Sequence, residues 1–294
     1  MIEVRQGGAH ERSAIVVGAT GFVGRHLVAA LREQGWRVVA LIREGSHRSG
    51  AFHDPCVELR EIVSPSDFER ILAESGVAHV FHLAAHQSRG DSAADIEKFA
   101  DANLRLSMHV FGAAASHGAR VVSALSYFQY RNGRPSVHSL YSATKLAQAE
   151  FAKYWREVRG ADIRDVVLFD NYGPHDDRDK LIPALVRAAS RDEEIVVGPR
   201  EQRVDILHVR DVASGLIAVA EDVTSGTLAV RAATLVTVGE IIDTISDLAG
   251  RPVRAVIDPA RQGGADPGEA GEWHLPAGWT PEIQLRRGLY ECMA

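Results

Sequence analysis

Apolar and polar positions in the first two-thirds of the chain alternate between strand-like and helix-like patterns. Residues 14–17 form a short β-branched run, and after a glycine turn an amphipathic segment spans 22–34. Gly35 ends that helix, and 38–42 is the next apolar run. The same reading predicts strands at 58–63, 79–83, 120–124 and 165–169, with helices at 66–74, 91–117 and 141–159 between them. Strands separated by helices predict a parallel sheet covered on both faces.

The texture changes after Asn171. Tyr172-Gly173-Pro174 breaks the alternation, and polar residues 175–180 lead into a helix at 181–190. A strand at 204–209 and helices at 211–221 and 237–250 follow, and 261–271 is a Gly/Asp/Pro-rich loop by composition. The fold class expected is therefore α/β. A doubly wound parallel-sheet Rossmann domain spans 13–170 and 204–222, and a smaller discontinuous α/β substrate lobe spans 171–203 and 223–294. Residues 1–12 read as a loose polar lead-in, or alternatively as an expression scar.

With 294 residues, the chain has room for one large or two ordinary domains. Its net charge of −6 and pI near 6.1 give no basic footprint for nucleic acid. Apolar runs fall far short of the roughly 20 residues a membrane-spanning helix needs. Cys56 and Cys292 form no C-x-x-C pair, and two cysteines make no disulfide framework, so a cytoplasmic setting is expected. The histidines at 79, 82 and 86 read as satisfied strand-end residues, and no metal site is expected.

Gly18-Ala-Thr20-Gly21-Phe22-Val23-Gly24 follows a predicted strand and opens a predicted helix. Glycines there allow a tight turn and close approach of the backbone to a pyrophosphate. The helix N-terminus offers free N–H groups to the phosphates. The second strand ends on Ile42, with Arg43 next and Glu44 after it. Arginine suits the 2′-phosphate of NADP(H) and a carboxylate suits NAD, so Arg43 favours NADPH/NADP+ and Glu44 is the rival. Tyr141 and Lys145, four apart on a helix, lie one turn from each other. An ammonium near a phenol favours phenolate, so Tyr141 can exchange a proton with a carbonyl or alcohol oxygen.

With residues 18–24, Ser126, Tyr141 and Lys145 in this order, the chain resembles the extended branch of the short-chain dehydrogenase/reductase superfamily. That branch comprises NAD(P)-dependent nucleotide-sugar epimerases, dehydratases and reductases. His82-Leu83-Ala84-Ala85, Asn103, Tyr172-Gly173-Pro174, His208-Val209-x-Asp211-Val212 and Gly278-Trp279-x-Pro281 extend the resemblance from about residue 14 to 293. It implies that Ser126 holds the substrate carbonyl, with Ser123 as the second candidate. It also implies that Tyr141 and Lys145 are catalytic, that Lys145 holds the nicotinamide ribose, and that Leu83, Ala84 and Ala85 flank the cofactor.

Departures from the family narrow the reaction. Dehydratases carry Asp-Glu after the catalytic hydroxyl, and this chain has Tyr127 and Phe128 there. No cysteine lies near Ser126, and the strand-end Asp of the 4-epimerases is Ile42. The family's substrate Asn is Asp170, with Asn171 beside it, and its Arg four before the histidine is Val204, with Arg203 displaced by one. Arg261 resembles the arginine that grips a nucleotide diphosphate. What this implies is NADPH-dependent reduction of a nucleotide-linked 4-keto-6-deoxyhexose. The alternatives are an NAD-dependent epimerase, a reductase of a small non-sugar carbonyl, and a non-enzymatic NADP-binding sensor.

The helix at 91–117 carries two apolar stripes, one through Ile96, Phe99, Leu106 and Val110 and one through Leu104, Met108, Phe111 and Ala115. A helix on one face of a sheet needs only one. A homodimer burying the second stripe is expected, with cover from the chain itself as the alternative.

Overall fold

All five residues of Ser13–Val17 are buried, as a strand covered on both faces requires, and they form β1. The computed structural model describes residues 12–44, 54–223, 226–261 and 273–294. In chain order β1 is followed by α1 (Phe22–Glu33), β2 (Arg37–Arg43), β3 (Val57–Ile62), α2 (Phe68–Ser75) and β4 (His79–His82). Then come α3 (Ala93–Phe99), α4 (Leu106–His117), β5 (Arg120–Ser126), β6 (Tyr130–Arg131), β7 (Arg134–Pro135), α5 (Leu140–Arg159) and β8 (Ile163–Leu168). The remainder is β9 (Asp170–Tyr172), α6 (Leu181–Arg191), β10 (Ile195–Val197), β11 (Arg203–Val204), β12 (Ile206–His208) and α7 (Val209–Glu221). Last are β13 (Leu228–Val230), β14 (Val236–Thr237), α8 (Val238–Ala249), β15 (Ala255–Ile257) and α9 (Leu285–Met293).

The central sheet is parallel and seven-stranded, in the order β13-β8-β5-β4-β1-β2-β3. Its first six strands in sequence follow the doubly wound order 3-2-1-4-5-6, with β13 added at the far edge. The order reverses between β1 and β4, the crevice where such folds bind ligands.

The chain divides into two compact units, Met1–Ala124 with Ser139–Asp165, and Leu125–His138 with Val166–Ala294. These boundaries differ from those drawn on the sequence pattern, which crossed at 171 and returned 204–222 to the first domain. In the structure α7 packs on β9, β12 and β13, so it stays with the second unit. The first unit's core joins Ile15, Val39, Phe68, Val80, Phe111 and Val121. The second gathers Ile182, Leu185, Ile241, Ile245 and Leu289.

Two predicted elements are broken, each by a buried polar side chain. The helix expected over 91–117 is α3 and α4 joined by a π-helical turn, Ala100–Arg105. That turn delivers Asn103 inward, where its amide donates to Thr144 Oγ1 at 2.9 Å and its carbonyl oxygen accepts from the His86 N–H at 2.6 Å. The strand expected over 204–209 is split into β11 and β12 at Asp205. Of the two apolar stripes on α3–α4, Phe111 joins Phe99 and Val110 inside, Leu104 and Met108 are half-buried, and Ile96 is exposed. No helix among the described residues is long and apolar enough to cross a membrane.

Candidate functional site

The turn after β1 is held by geometry that only glycine satisfies. Gly18 has φ of +90°, and a Cβ on it would lie 2.7 Å from Ala84 N. A side chain on Gly24 would run into the Gly18 carbonyl. Gly21 donates its N–H to Gly18 O at 3.0 Å and stands as the N-cap of α1. It provides no side-chain cap, and the first turn of α1 carries no acidic residue. Uncapped N–H groups with a partial positive charge and no carboxylate in front of them fit the pyrophosphate of a dinucleotide. Thr20 and Val23 are half-buried here, and Phe22 is buried.

Leu83 is tied to the same corner, its N–H donating to Val17 O at 2.9 Å. Leu83, Ala84 and Ala85 are half-buried, so the end of β4 lies against the turn as a cofactor-flanking segment would. Arg43, the last residue of β2, is exposed, as is Glu44. Ser46, His47 and Arg48, which the sequence offers as further donors beside Arg43, lie outside the described residues.

Helix α5 begins at a capping box. Ser139 Oγ accepts from the Ser142 N–H at 3.0 Å, which fixes the first turn and with it Tyr141. Tyr141 is buried, and Lys145 one turn later is only 3% exposed. The ammonium donates to Ala124 O at 2.8 Å and to Gln148 Oε1 at 2.9 Å, both neutral partners. Burial without a contacting carboxylate disfavours its charge and brings Lys145 down to about 8, against the pull of Asp165. His82, on β4, is fully buried and hydrogen-bonded to Ser107 at 2.8 Å. Burial, then the Lys145 charge, holds His82 down to about 3, so it stays a neutral packing group.

In the second unit, Ser126 ends β5 and caps a single helical turn, Tyr127–Gln129. Its Oγ accepts from the Phe128 N–H at 3.2 Å, and its own N–H donates to Gln129 Oε1 at 3.2 Å. Tyr127 stacks on Phe169 with centroids 4.4 Å apart, and Arg231 lies over Phe169 at 4.7 Å. Trp273 meets both Phe169 and Tyr130 edge-on. This aromatic group carries no signal in strand or helix periodicity. Its members come from three separate stretches of the chain, Tyr127 and Tyr130 after β5, Phe169 after β8, and Trp273.

The expected substrate contacts fare unequally. The Asn171 amide, on β9, is committed locally, donating to Phe169 O and accepting from Arg178 at 3.0 Å. Asp170 pairs with Lys180 at 2.9 Å, which offsets the carboxylate that would repel a diphosphate. Arg203 is exposed on β11, in register with Thr237. Arg261 is exposed and donates to Val196 O at 2.8 Å. Unforeseen in the sequence are Gln148 and Asp165, both buried, and the pair Asp205–Arg231 at 2.7 Å. Gln148 and Asp165 sit on elements whose polar residues ordinarily read as solvent-facing, so no pattern marked them.

The profile of the NAD dependent epimerase/dehydratase family matches residues 14–230. Among curated proteins, dTDP-4-dehydro-6-deoxy-D-allose reductase of Streptomyces sp is 26% identical over 86% of each chain. CDP-abequose synthase of Salmonella typhimurium is 26% identical over 71% of this chain and 70% of its own. Among solved structures, MoeE5 in complex with UDP-glucuronic acid and NAD is 27% identical with a TM-score of 0.78, covering 96% of this chain and 97% of its own.

Proposed function

From a chain that belongs to the NAD dependent epimerase/dehydratase family, we infer an oxidoreductase that reduces the 4-keto group of a nucleoside-diphosphate 4-keto-6-deoxyhexose. The observation that carries the reading is Tyr127, whose ring is stacked on Phe169 where water elimination would need a carboxylate. With Tyr127 and Phe128 behind Ser126, the chain has no acid–base pair for dehydration there, while the Tyr141–Lys145 pair is intact. The likeness to a deoxyallose reductase over most of both chains supports the same choice.

The residues divide the work as follows. Ser126 donates its hydroxyl proton as a hydrogen bond to the substrate carbonyl, since its oxygen already accepts from Phe128 N–H. Tyr141 gives its phenolic proton to that carbonyl oxygen as it becomes an alkoxide, and Lys145 stabilises the resulting phenolate and holds the nicotinamide ribose. The nicotinamide, when bound, supplies the hydride. Gly18, Thr20, Gly21, Phe22, Val23 and Gly24 hold its pyrophosphate, and Leu83, Ala84 and Ala85 line it. Arg43 grips a 2′-phosphate, which makes the cofactor NADPH, although MoeE5 is seen with NAD. Asn171, Arg203 and Arg261 serve the diphosphate of the sugar nucleotide.

The test is oxidation of a panel of nucleotide-linked 6-deoxyhexoses with NADP+. Reduced cofactor should form with these and not with small alcohols. Isomerised sugar without net cofactor turnover would make the protein an epimerase, and turnover of small alcohols alone would overturn the sugar. The protein acts as a homodimer, the half-buried Leu104 of the π-helical turn and Met108 of α4 meeting a second copy. Light scattering at micromolar concentration should give about twice the 31.9 kDa chain mass, and the monomer mass rejects it.

A further inference from the structure

Behind Lys145 lies a buried polar line that the reaction above does not use. Gln148 accepts from the ammonium through Oε1, and its amide donates to Ser123 Oγ at 3.1 Å. Ser123 and Gln148 are wholly buried. Beyond Ser123 lies Asp165 on β8, whose Oδ2 accepts from Arg156 Nη1 at 2.5 Å. Its other oxygen, Oδ1, is buried without a partner at full hydrogen-bond geometry, and Ser123 is the polar side chain beside the carboxylate. A carboxylate is not left half-satisfied in an interior without compensation of some kind.

We propose that Asp165 is a positioning residue for the Tyr141–Lys145 pair, a buried counter-charge that acts along Ser123 and Gln148 to keep Lys145 an ammonium. The inference rests on the catalytic pair assigned above. Two facts of geometry support it. The Asp165 side chain is 3% exposed and that of Arg156 is 34% exposed, so water screens the guanidinium and leaves the carboxylate unscreened. The net field along the line towards Lys145 is therefore negative. Gln148 fixes the polarity of the line, since its carbonyl end faces the ammonium and its NH₂ end faces Ser123. That leaves the Ser123 hydroxyl proton to turn towards Asp165.

The groups that bear on Lys145 are few. Tyr141 precedes it on α5, His82 faces it from β4 as a neutral ring, and Asp165 faces it from β8 with Arg156 behind. Burial raises the Asp165 carboxyl, while Arg156, Ser123 and Lys145 pull it back towards the charged form. Burial brings Lys145 down to about 8, and Asp165 is the group that resists this. Without Asp165 the ammonium would lose its proton at a lower pH, and Tyr141 would lose the charge that stabilises its phenolate.

The chain has four lysines, Lys98, Lys145, Lys153 and Lys180, so NMR of protein labelled at lysine Cε can follow each one through a pH titration. The Lys145 resonance is assigned by its loss in Lys145→Met. In the free protein its midpoint should fall by about one pH unit or more in Asp165→Asn. In turnover the alkaline limb of kcat should move down with it, with KM for the sugar unchanged. Should Asp165→Asn fail to fold because Arg156 is left unpaired, Asp165→Asn/Arg156→Met removes both charges and gives the same reading. An unchanged midpoint in the variant that folds overturns the proposal. The titration uses neither substrate nor cofactor, so it stands or falls apart from the assignment of the sugar.

Discussion

Each unit buries an ionic group, and the two are held in opposite ways. Asp205 in the second unit is paired at contact distance, with Arg231 at 2.7 Å and the Ala232 N–H at 2.9 Å. Lys145 in the first unit touches only neutral oxygens, and its counter-charge, Asp165, lies beyond Gln148 and Ser123. Contact pairing fixes the position of both partners and ties the break between β11 and β12 to the residues after β13. A counter-charge held at one remove fixes little but biases a proton equilibrium. The first arrangement serves the fold. The second suits a group whose charge has to matter to a neighbour during a reaction.

The comparison breaks first, and by the largest margin, at Tyr141. Tyr141→Phe should cut turnover by roughly 10²–10⁴-fold while leaving cofactor affinity near its original value, because it removes a positioned proton donor and little else. Stopped turnover with intact binding, read by cofactor titration, is the expected outcome. Turnover within about tenfold of the parent would remove the first unit's pair from catalysis.

Next comes the contact pair. Arg231→Met leaves a buried carboxylate uncompensated and should cost roughly 3–5 kcal/mol in denaturant unfolding. Burial already raises Asp205 to about 6, and losing Arg231 raises it further. A folded-state value above the unfolded one means that the charged form costs stability, so the deficit should be larger at pH 8 than at pH 5. A deficit independent of pH would show that Arg231 matters through its stacking on Phe169 rather than through its charge.

The smallest effect concerns Arg43, a cation exposed at the end of β2. Arg43→Ala should weaken NADPH by about 10–150-fold and NADH far less, from a charge-assisted contact worth about 1.5–3 kcal/mol. Equal losses for both cofactors would shift the assignment to Glu44 and NAD.

The pattern of the sequence is a good guide where structure follows periodicity. The six strands from β1 to β8 that belong to the sheet, the glycine turn and the helix bearing Tyr141 all lie where apolar spacing predicts them, to within two residues. The seventh, β13, escapes because Leu228–Val230 is only three residues long and is followed at once by Arg231. Asp165 reads as the polar start of a strand, and Gln148 as the outer face of a helix. Their burial depends on β5 and β8 lying beside α5, which no local window contains. Asn171 shows the converse. Its place beside the family position marks it for a substrate contact, and the Arg178 guanidinium that holds its Oδ1 is visible only in three dimensions.

The crowding at Gly18 and Gly24 has a consequence for how such a protein can change over time. No side chain can be added at either position without moving Ala84 or the Gly18 carbonyl, so the glycine turn proposed to cradle the pyrophosphate has almost no accessible variants. Arg43 is exposed at the open end of β2 and faces no such constraint. A lineage could therefore exchange one nicotinamide cofactor for the other through a few substitutions at that strand end, while the turn itself stays locked. The rigid part of the site sets what kind of molecule binds, and the unconstrained part is where preference can drift.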